Sequence, residues 1–288
     1  MDKFSYRMGI IKRISQKDYM NDDLRIRLFN VATRFYFEEL IGPDADFIEG
    51  CQDVNLKLYK SVWMEVFKQA LDEMPRISRE LFKEFKIYFK AEEWYYVIEF
   101  IEFLSNNYGK NEDSTIYNDI NNGFRHVCND VLQEESSAYR FVDGLIVPIG
   151  DKISVQNVED TLNVGKSHSN VRSHIKSALE LFSNKKNPDF RNSIKESISA
   201  VEALICNLTE KPKIGFSDGL ILIEKKYNID ASLRKAFVSI YGYTCNENGI
   251  RHKLINDSKA DYEDAQFMLV SCSAFINYVL GKVSKCKP

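Results

Sequence analysis

At 288 residues the chain is long enough for one large domain or two ordinary ones. Hydrophobic content of 44% and charged content of 28% are those of a soluble globular protein. A formal net charge of -3 excludes a general electrostatic pull toward nucleic acid, so any RNA contact needs a local basic patch.

Six cysteines, Cys51, Cys128, Cys206, Cys245, Cys272 and Cys286, are scattered with no CxxC pair. That spacing argues against a zinc site, and cysteines set into apolar helical patterns suit a reducing cytoplasm. The start, MDKFSYRMGIIKR, has no apolar core of a signal peptide. The longest apolar run, Phe267 to Leu280, is short for a bilayer and is interrupted by Ser271, Ser273 and Asn277. A cytoplasmic protein with no membrane partner is therefore expected.

The first residues, FSYRMGIIKRIS, have an extended character with a bend at Gly9. Leu24, Leu28, Val31 and Phe35 recur at helical spacing, with Asn21 or Asp22 to cap the start and Gly42-Pro43 to stop the helix. Leu56, Tyr59, Val62, Trp63, Val66, Phe67 and Ala70 predict a second helix that ends before Pro75. Ser78 is positioned to cap a third, carrying Leu81, Phe85 and Tyr88. A fourth is expected near 92–106, around Trp94, Val97, Ile98, Ile101 and Leu104. A fifth is expected near 114–134, around Ile116, Ile120, Phe124, Val127 and Val131. Such spacings call for helix packed on helix. The period then changes. AYRFV-DG-LIVPI reads as a β-hairpin, because Asp143-Gly144 suits the positive φ angles of a type I′ turn and Pro148 restricts the second strand to an edge.

The fold class expected is all-α with one small β-hairpin near a domain junction. The division expected is residues 1–150 and residues 151–288, with a short helix near 154–162 between them. Beyond it, Val171, Ile175, Ala178, Leu179 and Phe182 predict one helix, and FRNSIKESISAVEALICNL from Phe190 another. Ser217 is placed to cap GLILIEKKY, and Asp230 to cap ASLRKAFVSIYG. The last helix is expected to start at Asp261, with acids in its first turn to complement the dipole. Its body is apolar on nearly every face and so belongs in the centre of a bundle.

Candidate chemistry gathers in this second half. On the Phe190 helix, Ile194, Ile198, Val201, Ile205 and Leu208 form an apolar stripe. Arg191, Lys195 and Glu202 fall on one flank of it, while Glu196 points the other way. Arg191 and Glu202 thus suit a partly buried polar site, or alternatively a boundary ion pair that finishes the core. Arg251-His252 stands on a polar loop just ahead of the last helix. A neutral imidazole can accept a proton from a ribose 2′-hydroxyl, and a guanidinium can hold the phosphate. Helix-start amides nearby attract anions. The competing reading is that Arg251 and His252 only fix the loop. The other histidines are His126, His168 and His174. Arg125-His126 reads as a boundary pair, and Arg172 and His174 face apart. There is no GxxxxGK, GxGxxG or HExxH motif, so no cofactor and no metal are expected.

The segments FRNSIKESISAVEALI, LRKAFVSIYGY, NGIRHKL and YEDAQFMLVSCSAFINYV together resemble an abortive-infection type of HEPN (higher eukaryotes and prokaryotes nucleotide-binding) domain. FSYRMG and DDLRIRLFNV resemble an amino-terminal domain of the AbiJ abortive-infection group. The resemblance implies a helical bundle, a homodimer formed through the C-terminal domain, metal-independent endoribonuclease activity on RNA in phage defence, and a sensing role for the first half toward a phage or host protein. HEPN ribonucleases usually carry an arginine, four to six residues, then a histidine. Here no arginine precedes a histidine at that spacing, and Arg251 adjoins His252 instead. The site expected is His252, Arg251, Arg191 and Glu202. The alternative is a non-catalytic HEPN module that dimerises and binds a partner protein or RNA.

Overall fold

Local signals set most of the helix starts. Asn21 accepts a hydrogen bond from the Leu24 amide at 2.9 Å and caps α1 (Asp22–Ala32). The computed structural model describes residues 8, 15–42, 46–112, 115–164, 168–184, 187–245 and 260–286. Among them are eleven α-helices and a single two-stranded antiparallel hairpin, an all-α architecture with a small β element. The chain divides into two compact units, Met1–Gly150 and Asp151–Pro288.

In the first unit, α1 runs into a π-turn, Thr33–Phe37, and a 3₁₀ turn, Glu38–Leu40. α2 (Asp53–Ser61) likewise runs into a π-turn, Val62–Val66. The second helix therefore stops well before Pro75. Lys68 takes a left-handed φ of 56°, and the Trp63 indole donates to the Ala70 carbonyl at 2.8 Å, folding the chain back. α3 (Ser78–Ala91) follows, but Ser78 does not cap it. Ile77 occupies that position, and Ser78 is buried with its hydroxyl unsatisfied. α4 (Trp94–Asn107) and α5 (Thr115–Glu134) complete the bundle. Ile116, expected on the apolar stripe, is 63% exposed.

The core of this unit is aromatic. Phe29, Phe37, Phe85, Phe89 and Phe100 lie in ring contact, and Tyr36 and Phe124 extend the cluster. Several polar groups inside it are paired with one another. The Tyr59 hydroxyl donates to the Tyr36 carbonyl at 2.7 Å. The Tyr36 hydroxyl donates to Asn121 Oδ1 at 2.9 Å, and Asn121 Nδ2 donates to the Tyr108 carbonyl at 3.0 Å. Burial pushes the Tyr36 and Tyr59 phenols well above their usual range.

The hairpin pairs β1 (Arg140–Val142) with β2 (Leu145–Val147), Phe141 opposite Ile146. Asp143 and Gly144 have φ of 48° and 81°, the pair of positive values a type I′ turn needs. Helix side chains dock it. Asn129 accepts from the Phe141 amide at 2.7 Å and donates to its carbonyl at 3.0 Å, as a neighbouring strand would. Glu102 accepts from the Ile146 amide at 2.6 Å, and Asn106 donates to the Gly144 carbonyl at 2.9 Å. Arg125 belongs to this support. It donates to the Ser105 carbonyl at 2.8 Å and to Asn106 at 2.9 Å, while its neighbour His126 stays exposed.

The second unit contains α6 (Lys152–Leu162), α7 (Ser169–Ser183), α8 (Phe190–Thr209), α9 (Phe216–Tyr227), α10 (Ala231–Cys245) and α11 (Tyr262–Lys285). The apolar stripe of α8 is buried along its whole length, from Ile194 to Leu208. α8 packs on α7, α9 and α11, and α6 packs on α7 and α11. α11 is long and apolar enough to cross a membrane, a property the shorter run 267–280 did not suggest. Its face from Ala265 through Leu269, Cys272 and Ile276 to Val279 is nevertheless buried in this bundle, while Phe267 on another face is 58% exposed. Ser217 lies inside the first turn of α9. Gly215 holds the cap position there without a side-chain bond.

Gly219 lets α9 come close to α8. A Cβ built there would stand 2.2 Å from Ile205 Cγ2. Gly219→Ala is expected to destabilise the chain by about 1–3 kcal/mol through overpacking. Urea denaturation checks it, and Ile205→Ala in the same chain should recover part of that loss.

Candidate functional site

Arg251 and His252 lie outside the described residues. Those on either side of them are Cys245, which ends α10, and Ala260, which precedes α11. This end of the second unit is built from aromatic rings. Tyr262 stacks on Phe182 at 5.2 Å and meets Phe190 edge-on at 6.2 Å, and Phe182 and Phe190 are 6.1 Å apart. The end of α7 and the starts of α8 and α11 therefore meet here. α10 reaches the same place, since the Tyr243 phenol bonds to Asp264 on α11. Burial, then the charges of Asp264 and Asp261, push that phenol up to about 12.

Arg191 follows Phe190 in the first turn of α8 and is half-buried at this end. Glu202 is also half-buried and lies three turns further along the same helix. At 1.5 Å per residue the two are separated by ~16 Å along the axis. They share a flank, as their spacing predicts, but are not brought together.

α8 also makes partly buried polar contacts away from these two residues. Glu196 is the residue that meets a histidine. Its carboxylate is 2.7 Å from His174 Nδ1 on α7, with both side chains part-buried. Further along the same seam, Asn207 and Asn170 exchange amide hydrogen bonds at 2.8 and 3.2 Å. Asn207 Nδ2 also lies 3.3 Å from His168 Nδ1. α7 and α8 follow one another after a short connection, which makes antiparallel neighbours of them and sets polar residues of one beside those of the other. Reading α8 alone, from its wheel, set Glu196 aside.

Both helix starts at the aromatic end already hold carboxylates. Asp189 accepts from the Asn192 amide at 3.0 Å and caps α8. Asp261 accepts from the Asp264 amide at 3.0 Å, and Asp264 reaches back to the Asp261 amide, a complete capping box. The expected attraction of helix-start amides for an anion is therefore largely taken up by the protein's own acids. Cationic side chains must supply any phosphate contact here. Among the described residues no group of three or more His, Cys, Asp or Glu side chains is arranged to hold a metal ion.

A family model described as AbiJ N-terminal domain 4 matches residues 2–164. No curated protein and no solved structure matches the chain. The match extends past Gly150 to include α6, whose Val155, Val158 and Leu162 are buried in the second unit.

α10, which leads to this end, is capped by Asp230, whose Oδ1 accepts from the Ser232 amide at 2.7 Å. That bond, with the Ser232 hydroxyl and the Leu233 amide, holds the Asp230 carboxyl below the usual aspartate range. A carboxyl depressed in the folded state contributes stability above its unfolded pKa and loses it as the pH falls through the folded one. The stability difference between wild type and Asp230→Ala is therefore expected to be constant near neutral pH and to shrink below about pH 4. Thermal unfolding of the two chains across pH 3–7 measures it.

Proposed function

The chain belongs to the AbiJ N-terminal domain 4 family and is an abortive-infection-associated protein, and from that premise we propose that residues 151–288 form a HEPN-type, metal-independent endoribonuclease. The observation that supports this reading most is the placement of Arg191. It stands at the end of the helical bundle where α11 begins, and α11 is the helix that follows Arg251 and His252 in sequence.

The chemistry needs few parts. His252, neutral, takes the proton of a ribose 2′-hydroxyl as general base. The freed oxygen attacks the adjacent phosphorus, the bond to the 5′-oxygen breaks, and that oxygen takes a proton from the now protonated His252, which returns to its neutral form. The product is a 2′,3′-cyclic phosphate. Arg251 and Arg191 hold the phosphate and offset the charge that develops on it. Glu202 orients one of the cations in this scheme; three turns from Arg191 on the same helix, it would serve Arg251 or an arginine of a partner subunit. A cytoplasmic homodimer formed through the C-terminal domain would place two sites along one RNA, with a phage or host protein as the trigger sensed by the first half.

A second reading is favoured by the direct adjacency of Arg251 and His252, which departs from the spacing of HEPN ribonucleases. Here the C-terminal unit dimerises and binds a partner protein or RNA without cleaving it.

Purified full-length chain with RNA in excess EDTA separates the two. Under the first reading, RNA is cut to cyclic-phosphate ends, and His252→Ala lowers the rate by roughly 10²–10⁴-fold. Arg191→Ala lowers it with the fold intact by circular dichroism. Cleavage that is unchanged in His252→Ala overturns the assignment. If wild type and an Arg251→Ala, His252→Ala double variant arrest growth alike on expression, the second reading stands in its place.

A further inference from the structure

One pocket in the first unit belongs to neither reading. It lies between α1 and α3, with a volume of ≈ 350 Å³, within the ~300–1,000 Å³ typical of small-molecule sites. Its floor is aromatic. Phe29 and Phe89 are buried, with Phe29 ring centroids 5.2 Å from Phe89 and 5.3 Å from Phe82, and Phe82 is the half-exposed ring that faces outward. Three cations surround that floor: Arg25 from α1, and Lys86 and Lys90 from α3. Phe82, Lys86 and Lys90 are spaced by four residues, which puts them along one face of α3. No carboxylate is among the described residues that line the pocket.

The ordinary explanation covers only part of this. Arg25 Nη1 donates to the Phe89 and Glu92 carbonyls at 3.1 and 2.7 Å, and so ties down the end of α3. That leaves the rest of the guanidinium facing the pocket edge, pinned rather than mobile. Lys86 and Lys90 are exposed and make no ion pair among the described residues, although α3 also carries Glu80 and Glu84. A chain of net charge -3 thus gathers three cations around one apolar hollow. Three positive charges exceed what a single carboxylate, such as that of a fatty acid, would need. Phe82, tilted 47° to Phe29 and half-exposed, offers a ring face to the hollow, which suits a planar ring better than a flexible chain.

We infer that this pocket binds a nucleotide, its base laid against Phe82 and its phosphates held by Arg25, Lys86 and Lys90. Asn30, exposed on the rim, offers an amide to the base edge. Charge-assisted contacts of this kind weaken as salt rises.

Calorimetric titration of the full-length chain with AMP, ATP and GTP tests the inference, with inorganic triphosphate and laurate as controls. At least one nucleotide is expected to bind at low salt with Kd below roughly 100 μM. A Lys86→Ala, Lys90→Ala double variant, whose changes are on exposed side chains, should weaken binding at least about tenfold at unchanged melting temperature. Phe82→Ala should weaken ATP but not triphosphate. The inference fails if no nucleotide binds below about 1 mM, or if the double variant binds like wild type. It also fails if triphosphate binds as tightly as ATP, or if laurate binds and nucleotides do not. Repeating the titration on His252→Ala keeps the result independent of the ribonuclease assignment, because that residue is no part of this pocket.

Discussion

The first unit depends on keeping a few polar groups paired inside an aromatic interior. A π-turn shifts the helical bonding register by one residue and frees a carbonyl that an α-helix would satisfy. In the turn that follows α1 the Tyr36 carbonyl is taken by the Tyr59 hydroxyl, which comes from the other helix with a π-turn. The Tyr36 side chain then reaches Asn121, and Asn121 reaches the Tyr108 carbonyl. Four residues from four segments are thereby held in one arrangement. Each unpaired member would cost roughly 1–3 kcal/mol in such surroundings, more than a net hydrogen bond contributes. The chain therefore specifies this core by what it must avoid leaving unpaired as much as by the rings it buries. The hairpin obeys the same constraint. Its outer backbone groups find Asn129, Glu102 and Asn106, so a two-stranded sheet that would be marginal alone is held as part of the bundle.

The second unit solves a different problem, that of bringing helix backbones close. α8 buries Ser193, Ser197 and Ala200 beside its aliphatic stripe. Ser193 donates across to the Ala178 carbonyl of α7 at 2.8 Å, and Ser197 returns its hydroxyl to the Ser193 carbonyl. Small side chains that pair with nearby carbonyls let α7 lie against α8, while Gly219 does the same for α9. α6 is drawn into this unit by a polar contact. The Thr161 hydroxyl meets the Ser273 carbonyl and Asn277 on α11, and Asn277 donates to the Asn157 carbonyl. That packing explains how a sequence segment within the matched family domain comes to complete the second bundle.

What could be read in advance divides along physical lines. Features made by neighbours in sequence were legible. The Asn21 cap, the Asp261 cap and the Asp143-Gly144 turn each depend on a residue type and a few adjacent amides. The helical class followed from hydrophobic period, because burial of one face leaves a repeat that survives any tertiary detail. Features that depend on another segment were not legible. Ser78 and Ser217 look like caps, yet the chain arrives at each helix so that Ile77 and Gly215 take the position. The second helix looked continuous because the apolar spacing persists past Val66, but the backbone turns at Lys68 once Trp63 finds the Ala70 carbonyl. Glu196 looked misplaced on the wheel of its own helix and is paired because α7 supplies His174. In the α1–α3 pocket Arg25 is about sixty residues from Lys86 and Lys90 in sequence, so no local pattern announces that the three converge.

The acids at the aromatic end of the second unit sharpen what any phosphate chemistry there would require. Asp189, Asp261, Glu263 and Asp264 stabilise two helix starts and also fill the space with negative charge. A polyanion could not rely on the amides of α8 or α11, because Asn192 and Asp264 already donate to caps. It would need guanidinium groups placed between those carboxylates and itself. Arg191 is one such group by position, and a second must come from the segment ahead of α11 or from another copy of the chain. A single cation against four acids would repel RNA at low salt, where charges act over their longest range. An RNA-binding role for this end is therefore tied to the number of arginines that converge on it, and only then to the imidazole that would do the chemistry.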